Sequence, residues 1–392
     1  TEVKKSDKVT VLEDEDDWMK VATADGYVGY IKTKSLKNQK KEKTSRDFTE
    51  PVYSDMTEDH SINMAWHNVT NAAANNAVQQ VLASTSGLTT IAPTWFSLAD
   101  TEGNISSIAD ADYVNYAHTA GLEVWAVFRD FHGGTNSYDE TYETLRYTSK
   151  RAKLEDQVVA AAVAAGVDGI NLDFELISSK CGVHYVQLVR ELSVKCHQNN
   201  LVFSVDNYVP QSYNSHYDLK EQGIVADYVV IMAYDEHTEG SYEAGSVASI
   251  SYLQDGIEKT LKKVSADKVI AGIPFFTRLW FETAKSPEQL SEEAGTEAAS
   301  YPNKVSSKAL GMEEAAQSVV NAGATAQWDE KTQQNYAKWS ADGGTYRIWL
   351  EDAQSLEAKL KVIQGNKLAG VAEWSLGREE SSVWKLISQY VN

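Results

Sequence analysis

From residue 62 onward the chain alternates between two hydrophobic rhythms. Short apolar runs with period two or with unbroken Val, Ile and Phe content predict strands at 62–66, 89–96, 122–128, 166–175, 201–206, 226–235, 269–276 and 370–376. Between them, apolar residues recur at helical spacing and predict helices at 71–82, 110–120, 141–147, 154–165, a stretch through Cys181 and Cys196, 247–264 and 383–390. Eight strands alternating with helices over about 330 residues predict an α/β fold of the (β/α)8 TIM-barrel type. A doubly wound sheet is the structural alternative, but it rarely carries eight regular βα units. The spacing breaks once. Residues 277–350 are too long for one βα connection and contain a predicted strand at 346–350 and a helix near 313–321. They predict an α+β insertion between strands seven and eight, followed by a helix near 355–363. The barrel then consists of 55–276 and 351–392.

The fourth strand has the most pronounced pattern. In Gly166-Val167-Asp168-Gly169-Ile170-Asn171-Leu172-Asp173-Phe174-Glu175, alternation puts Ile170, Leu172 and Phe174 on one face and Asn171, Asp173 and Glu175 on the other. A parallel strand between helices is covered on both faces, so a face of two acids and an amide must look into a cavity. Sites of such barrels lie at the C-terminal strand ends. Glu175 falls at the mouth, and Asp173 one pleat deeper, about 6.7 Å along the strand. Tyr234 and Asp235 end strand six, and Trp374 is near the end of strand eight. An acid, a second carboxylate, a phenol and an indole therefore converge from three strands, the equipment that cleavage of a glycosidic bond requires. Taken singly, Tyr234 and Trp374 read more readily as core aromatics, and a structural ion pair of Asp173 and Glu175 with basic residues of the barrel is the lesser alternative.

The N-terminal 38 residues follow a different rule. Val9-Thr10-Val11-Leu12, Trp18-Met19-Lys20-Val21 and Tyr27-Val28-Gly29-Tyr30-Ile31 are short strands, with an acidic turn at 13–17 and a tight turn at Asp25-Gly26. They predict an all-β module at 1–38, joined through a polar linker at 39–54 that contains Lys40, Lys41, Lys43 and Arg46.

Composition narrows the partners. The 392 residues carry a formal net charge of −20, which argues against nucleic acid and is compatible with a neutral polymer. Ten Trp and 20 Tyr against nine Phe favour amphipathic aromatics, which suit carbohydrate or peptide surfaces as well as cores. Cys181 and Cys196 are fifteen residues apart on one predicted helix, so about 22 Å separates them and they are expected as buried free thiols. None of the His residues has ligand spacing, no metal or cofactor is called for, and no run of 18 apolar residues would span a membrane. The chain opens without a signal peptide and without Met, which reads as a mature form or an excerpt. Oligomeric state is not readable from the sequence.

Two resemblances sharpen this picture. The order Val-Thr-Val-Leu, Trp-x-Lys-Val and Asp-Gly-Tyr-x-Gly-Tyr-Ile within 9–31 resembles a bacterial SH3-like domain of the kind found on cell-wall enzymes, possessing fewer strands than that barrel usually has. Asp168-Gly-Ile-Asn171-Leu-Asp173-Phe-Glu175 resembles the Asp-x-x-Asp-x-Asp-x-Glu signature of glycoside hydrolase family 18. Met232-Ala233-Tyr234-Asp235, Trp374 and the 277–350 insertion match further family features in order. The stretches 235–237, 244–249, 277–280 and 348–352 resemble the branch of spore-cortex and cell-wall N-acetylglucosaminidases. The family resemblance implies a retaining, substrate-assisted hydrolysis of β-1,4-linked N-acetylglucosamine in peptidoglycan or chitin, at the cell wall, outside the cell or on spores. It implies Glu175 as proton carrier, Asp173 as partner of the acetamido N–H, Tyr234 as donor to the acetamido oxygen and Trp374 as floor of the sugar. Met232, Asp235, Arg278, Asn207 and Trp66 are further candidates for substrate contact. Some family members are lectins without catalysis, usually with the terminal Glu replaced; Glu175 is present here. The family pattern bends at Asn171, where an Asp is usual and where two carboxylates are thought to share a proton. Asn171 removes one like charge, so the expectation is an ionised Asp173 in the resting protein with Asn171 as its neutral hydrogen-bond partner.

Overall fold

The computed structural model describes residues 3–24, 26–43, 45 and 55–391. The predicted turn residue Asp25 and most of the predicted linker lie outside the described residues. The chain divides into two compact units, Thr1–Val52 and Tyr53–Asn392.

In the first unit, Val9–Glu15, Trp18–Thr23 and Val28–Lys32 form an antiparallel meander, with a register shift between Val11 and Glu13. This small all-β module is of the SH3-like kind. Among its described residues Met19 and Val21 are buried, whereas Trp18, Tyr27 and Tyr30 face solvent.

In the second unit eight parallel strands close into a (β/α)8 barrel: β1 Ile62–His67, β2 Thr90–Pro93, β3 Glu123–Arg129, β4 Gly169–Asp173, β5 Val202–Tyr208, β6 Tyr228–Met232, β7 Val269–Pro274 and β8 Gly370–Trp374. Closure occurs on both sides of β1, by pairing of Trp66 with Trp374 and of Ala65 with Ile91, and β2 in turn pairs with β3 through Thr90 and Glu123. Strand alternation sorts the core into two layers. Ile170, Leu172 and Phe174 of the β4 segment pack outward with Tyr185, Leu188 and Leu192 of the following helix, Gly182–Gln198. The barrel interior is filled from below by Ile62, Met64, Trp125, Val202, Val230 and Ile270. The helix Thr148–Ala165 buries Leu154, Val158 and Ala162 at four-residue spacing, and Gly166 at φ 77° ends it in the left-handed conformation that turns the chain into β4.

Two predicted elements differ in detail. The predicted strand at 89–96 is broken in two, because the ladder leaves β1 at Pro93 and resumes as Phe96–Leu98 against β3. The predicted helix at 71–82 is a 3-10 segment, Ala72–Ala77, before the α-helical turn Val78–Leu82. Its Asn75 side chain is tied to Ile108 O and to Trp95 Nε1. Cys181 and Cys196 are buried free thiols.

After β7 the chain leaves the barrel. Phe276–Ala284, Asn303–Gly311, Gly344–Leu350, Gln334–Ala341 and Gln327–Asp329 form a five-stranded antiparallel sheet. The helix Met312–Asn321 covers it, with Ala315 and Val319 against Leu310, Ala337 and Ile348. The chain then returns through the helix Ala353–Gly365 to β8. A buried ion pair, Lys359 Nζ to Glu351 Oε1 at 2.9 Å, joins that helix to the end of the sheet, and Gln334 and Ser355 satisfy the same carboxylate. Among the described residues, no helix is long and apolar enough to cross a membrane.

Candidate active site

β4 ends at Asp173, so Glu175 lies just past the strand, at the barrel mouth. The loop there is held by a group the sequence reading missed. Asp130, following β3 and fully buried, accepts hydrogen bonds from the backbone N–H of Glu175 at 2.9 Å and of Leu176 at 3.0 Å. Tyr217 donates to the Phe174 and Glu175 carbonyls. The Glu175 backbone is thus fixed from two sides, which holds its side chain over the cavity. Tyr208, the last residue of β5, donates its hydroxyl to Glu175 Oε2.

The cavity has a volume of about 180 Å³, and Asp173, Glu175, Asp206, Tyr234, Asp235 and Trp374 are among the residues that line it. Trp66 and Met232 also line it. Tyr234 is nearly buried and stands edge-on to Trp66, ring centroids 6.5 Å apart. Trp374 lies 6.0 Å from Trp66 and stays half-buried, which leaves ring surface for a ligand. Asp235 follows β6 with φ 59°, a left-handed conformation that Asp tolerates and that bends the chain away from the strand.

The electrostatics of the cavity are unusual. Asp173 is 8% exposed, and among the described residues its Oδ1 has no hydrogen-bond partner. Burial, then the charges of Glu175, Asp206 and Asp130, push its carboxyl well above the usual range, against the counteracting charge of Arg129. Burial also raises Glu175; the Tyr208 hydrogen bond opposes this and the charge of Asp235 adds to it. Asp235 is raised by burial, with Arg278 opposing. Arg278 projects from the first strand of the insertion, where its Nη1 donates to Ser307 Oγ at 2.8 Å, so its effect on the cavity is through charge. Among the described residues, no group of three or more His, Cys, Asp or Glu is arranged to hold a metal ion.

Two expectations are corrected. Asn207 does not reach the cavity: its amide is paired with Gln222 in both directions, at 2.7 and 3.0 Å, in the layer between barrel and helices. Its neighbours Asp206 and Tyr208, one residue away on either side, take the inward face instead. Asn171 is not the partner of Asp173. Its Nδ2 donates to Asp206 Oδ1 at 2.7 Å and to Ser204 Oγ at 2.9 Å, and its Oδ1 accepts from Trp66 Nε1 at 3.0 Å. Asp173 is therefore surrounded by carboxyls rather than relieved of one, and burial favours its neutral form over the expected ionised one. Arg129, Asp130, Asp206 and Tyr208 went unnoticed in the sequence; the inward parity of 204, 206 and 208 on β5 was the signal available for the last two.

A TIM barrel with paired carboxyls and aromatic rings at its C-terminal mouth is the frame of a glycoside hydrolase. The sequence profile of glycosyl hydrolases family 18 matches residues 65–379, and the chain belongs to that family. Residues 1–36 match the bacterial dipeptidyl-peptidase Sh3 domain. Relatives include an uncharacterized glycosylase, YvbX, of Bacillus subtilis, 26% identical over 295 residues that make up 73% of this chain and 80% of the relative. The cortical fragment-lytic enzyme of the same organism is 27% identical over 256 residues, 62% of this chain but only 54% of that enzyme's length. In fold, the chain is similar to the spore cortex-lytic enzyme of Bacillus megaterium, with TM-score 0.70, 20% identity and coverage of 85% and 74% of the two chains. It is equally similar to a chitinase of Chromobacterium violaceum, with TM-score 0.70, 21% identity and coverage of 84% and 98%.

Proposed function

We propose that this glycoside hydrolase cleaves β-1,4-linked N-acetylglucosamine in peptidoglycan, of the cell wall or the spore cortex, with retention and with assistance from the substrate's own acetamido group. The observation that carries the reading is the pairing at the mouth of β4: Glu175, raised by burial, above Asp173, whose Oδ1 has no partner among the described residues. Glu175 protonates the glycosidic oxygen, the acetamido oxygen attacks the anomeric carbon, and the bond from that carbon to the glycosidic oxygen breaks, which releases the leaving sugar as an alcohol and gives an oxazolinium ion. Water, deprotonated by Glu175, then opens that ion.

Asp173 accepts the acetamido N–H. Burial, ahead of the charges of Glu175, Asp206 and Asp130, raises its carboxyl at rest, and positive charge developing on the substrate acts in the opposite direction, so its stabilising effect grows as the reaction proceeds. Tyr234 donates to the acetamido oxygen, Trp374 stacks on the sugar with Trp66 and Met232 beside it, and Asp235 contacts sugar hydroxyls within the field of Arg278. The cortex-lytic relatives and the SH3-like module favour peptidoglycan, and with it a place at the cell wall or spore.

A second reading, chitinase, has the site chemistry itself in its favour, because every group named addresses the N-acetylglucosamine unit that chitin shares. Mass spectrometry of products from spore cortex, vegetative wall and chitin separates the two. Muropeptides ending in reducing N-acetylglucosamine support the first; chitobiose from chitin, with both walls left intact, rejects it.

A further inference from the structure

Position 171 lacks the acid of the family pattern, yet the barrel interior holds another carboxyl next to it. Asp206 lies on β5, the strand paired with β4, and is 2% exposed. Asn171 donates its amide hydrogens to Asp206 and Ser204 and accepts from Trp66, and none of these bonds goes to Asp173. What it does is fix Asp206 Oδ1 at 2.7 Å. Among the described residues, Asp206 Oδ2 and Asp173 Oδ1 are both buried without a hydrogen-bond partner. Two such oxygens in one cavity are tolerable only when at least one of the carboxyls is protonated.

We propose that Asp206 is the positioning residue that keeps this proton, a neutral acid on β5 that replaces the missing carboxyl at 171 and sets the ionisation of Asp173 and Glu175. The proposal rests on the reading of the chain as a Glu175-dependent glycosidase. The cavity that Asp206 faces is also lined by Asp173 at the end of β4 and Glu175 just past it, Arg129 from β3, Tyr208 from its own strand, Tyr234 and Asp235 after β6, and Trp66 from β1; Arg129 is the cation among them. Burial and the charge of Glu175 push Asp206 up to about 8, and the charge of Asp206 in turn raises Asp173. While Asp206 keeps its proton, Glu175 can lose one to the substrate without a second new anion appearing in the cavity. Once Asp206 ionises, the remaining carboxyls are held protonated to higher pH. Asp206→Asn preserves shape and an acceptor for Asn171, and removes only the titration.

The test is the pH profile of kcat/KM for wild type, Asp206→Asn, and Asp206→Asn combined with Asn171→Asp, together with a substrate-free NMR titration of [13Cγ]Asp-labelled protein. Wild-type Asp206 carries a charge only above about pH 8, and without that charge the other carboxyls ionise sooner there, so Asp206→Asn is expected to leave the acid limb in place and to move the alkaline limb to lower pH by about one unit. The double variant returns the carboxyl one strand over and is expected to bring the profile back. An Asp206→Asn profile that superposes on wild type, or a double variant that behaves like the single one, overturns the proposal. The NMR arm is independent of turnover: in wild type the Asp206 carboxyl is expected to be neutral at pH 7, and one already ionised at pH 6 overturns the proposal even if Asp206→Asn fails to fold. A wild-type protein that releases no reducing ends sinks the glycosidase reading instead, and leaves the NMR result to decide the coupling.

Discussion

Glu175 and its hydroxyl partner Tyr208 define the chemistry at the scale of single residues. Glu175→Gln keeps the shape but cannot donate and recover a proton, so kcat on a chitooligosaccharide is expected to fall about 10²–10⁴-fold with little change in KM. Tyr208→Phe acts more subtly. The hydroxyl stabilises the ionised form of Glu175, so its loss raises the Glu175 pKa and moves the alkaline limb of the kcat/KM profile to higher pH; a shift to lower pH would contradict the assigned hydrogen bond. Asp173, Glu175, Tyr234 and Trp374 were legible in the sequence because each falls at a strand end or on an anomalous polar face. Asp206 and Tyr208 were not, since the run 201–206 is apolar enough to pass for an ordinary buried strand. The choice of Asn207 over its neighbours was a parity slip of one residue, which in a strand exchanges the cavity for the helix layer. Asp130 and Arg129 close β3, whose apolar body offered no polar face to notice.

At the scale of elements, the eight barrel strands were readable from hydrophobic runs separated by helical spacing, and closure followed from their number. The insertion was readable only as an interruption, with one of its five strands picked out. The reason is burial: Asn303–Gly311 alternates half-buried and exposed positions with Lys and Ser among them, and Gln334–Ala341 and Gln327–Asp329 are similarly polar. Such strands lack the continuous apolar signal of a parallel barrel strand. What ties the sheet back to the barrel is also invisible in sequence, because Glu351 and Lys359 meet as a buried pair, 2% and 1% exposed. Lys359→Met removes one charge and strands the other, and is expected to cost about 3–5 kcal/mol in urea unfolding. A loss within about 0.5 kcal/mol would mean the junction does not depend on the pair.

For the molecule as a whole, buried acids set the pH dependence of stability. Burial and neighbouring charges raise Asp130 and Glu123 to about 7, and Glu155 and Asp206 to about 8. Folded values above unfolded ones mean that the stability from these groups is full below about pH 4 and lost as the pH climbs through 7 to 8. His67, lowered by burial to about 4, works the other way: its contribution is present above about 6.5 and lost as the pH falls through 4. The urea midpoint is therefore expected to be higher at pH 5.5 than at pH 8.5, with the net charge of −20 acting in the same direction; a higher midpoint at pH 8.5 would contradict this balance. The fold and the family point to one site, where the central claim is hydrolysis by Glu175 with the substrate's acetamido group as nucleophile. Proton NMR of the first-formed products from an N-acetylglucosamine oligomer tests it most directly. The expected result is a new reducing end of β configuration from wild type and none from Glu175→Gln; an α-anomer formed first, or the same release from Glu175→Gln, would contradict it.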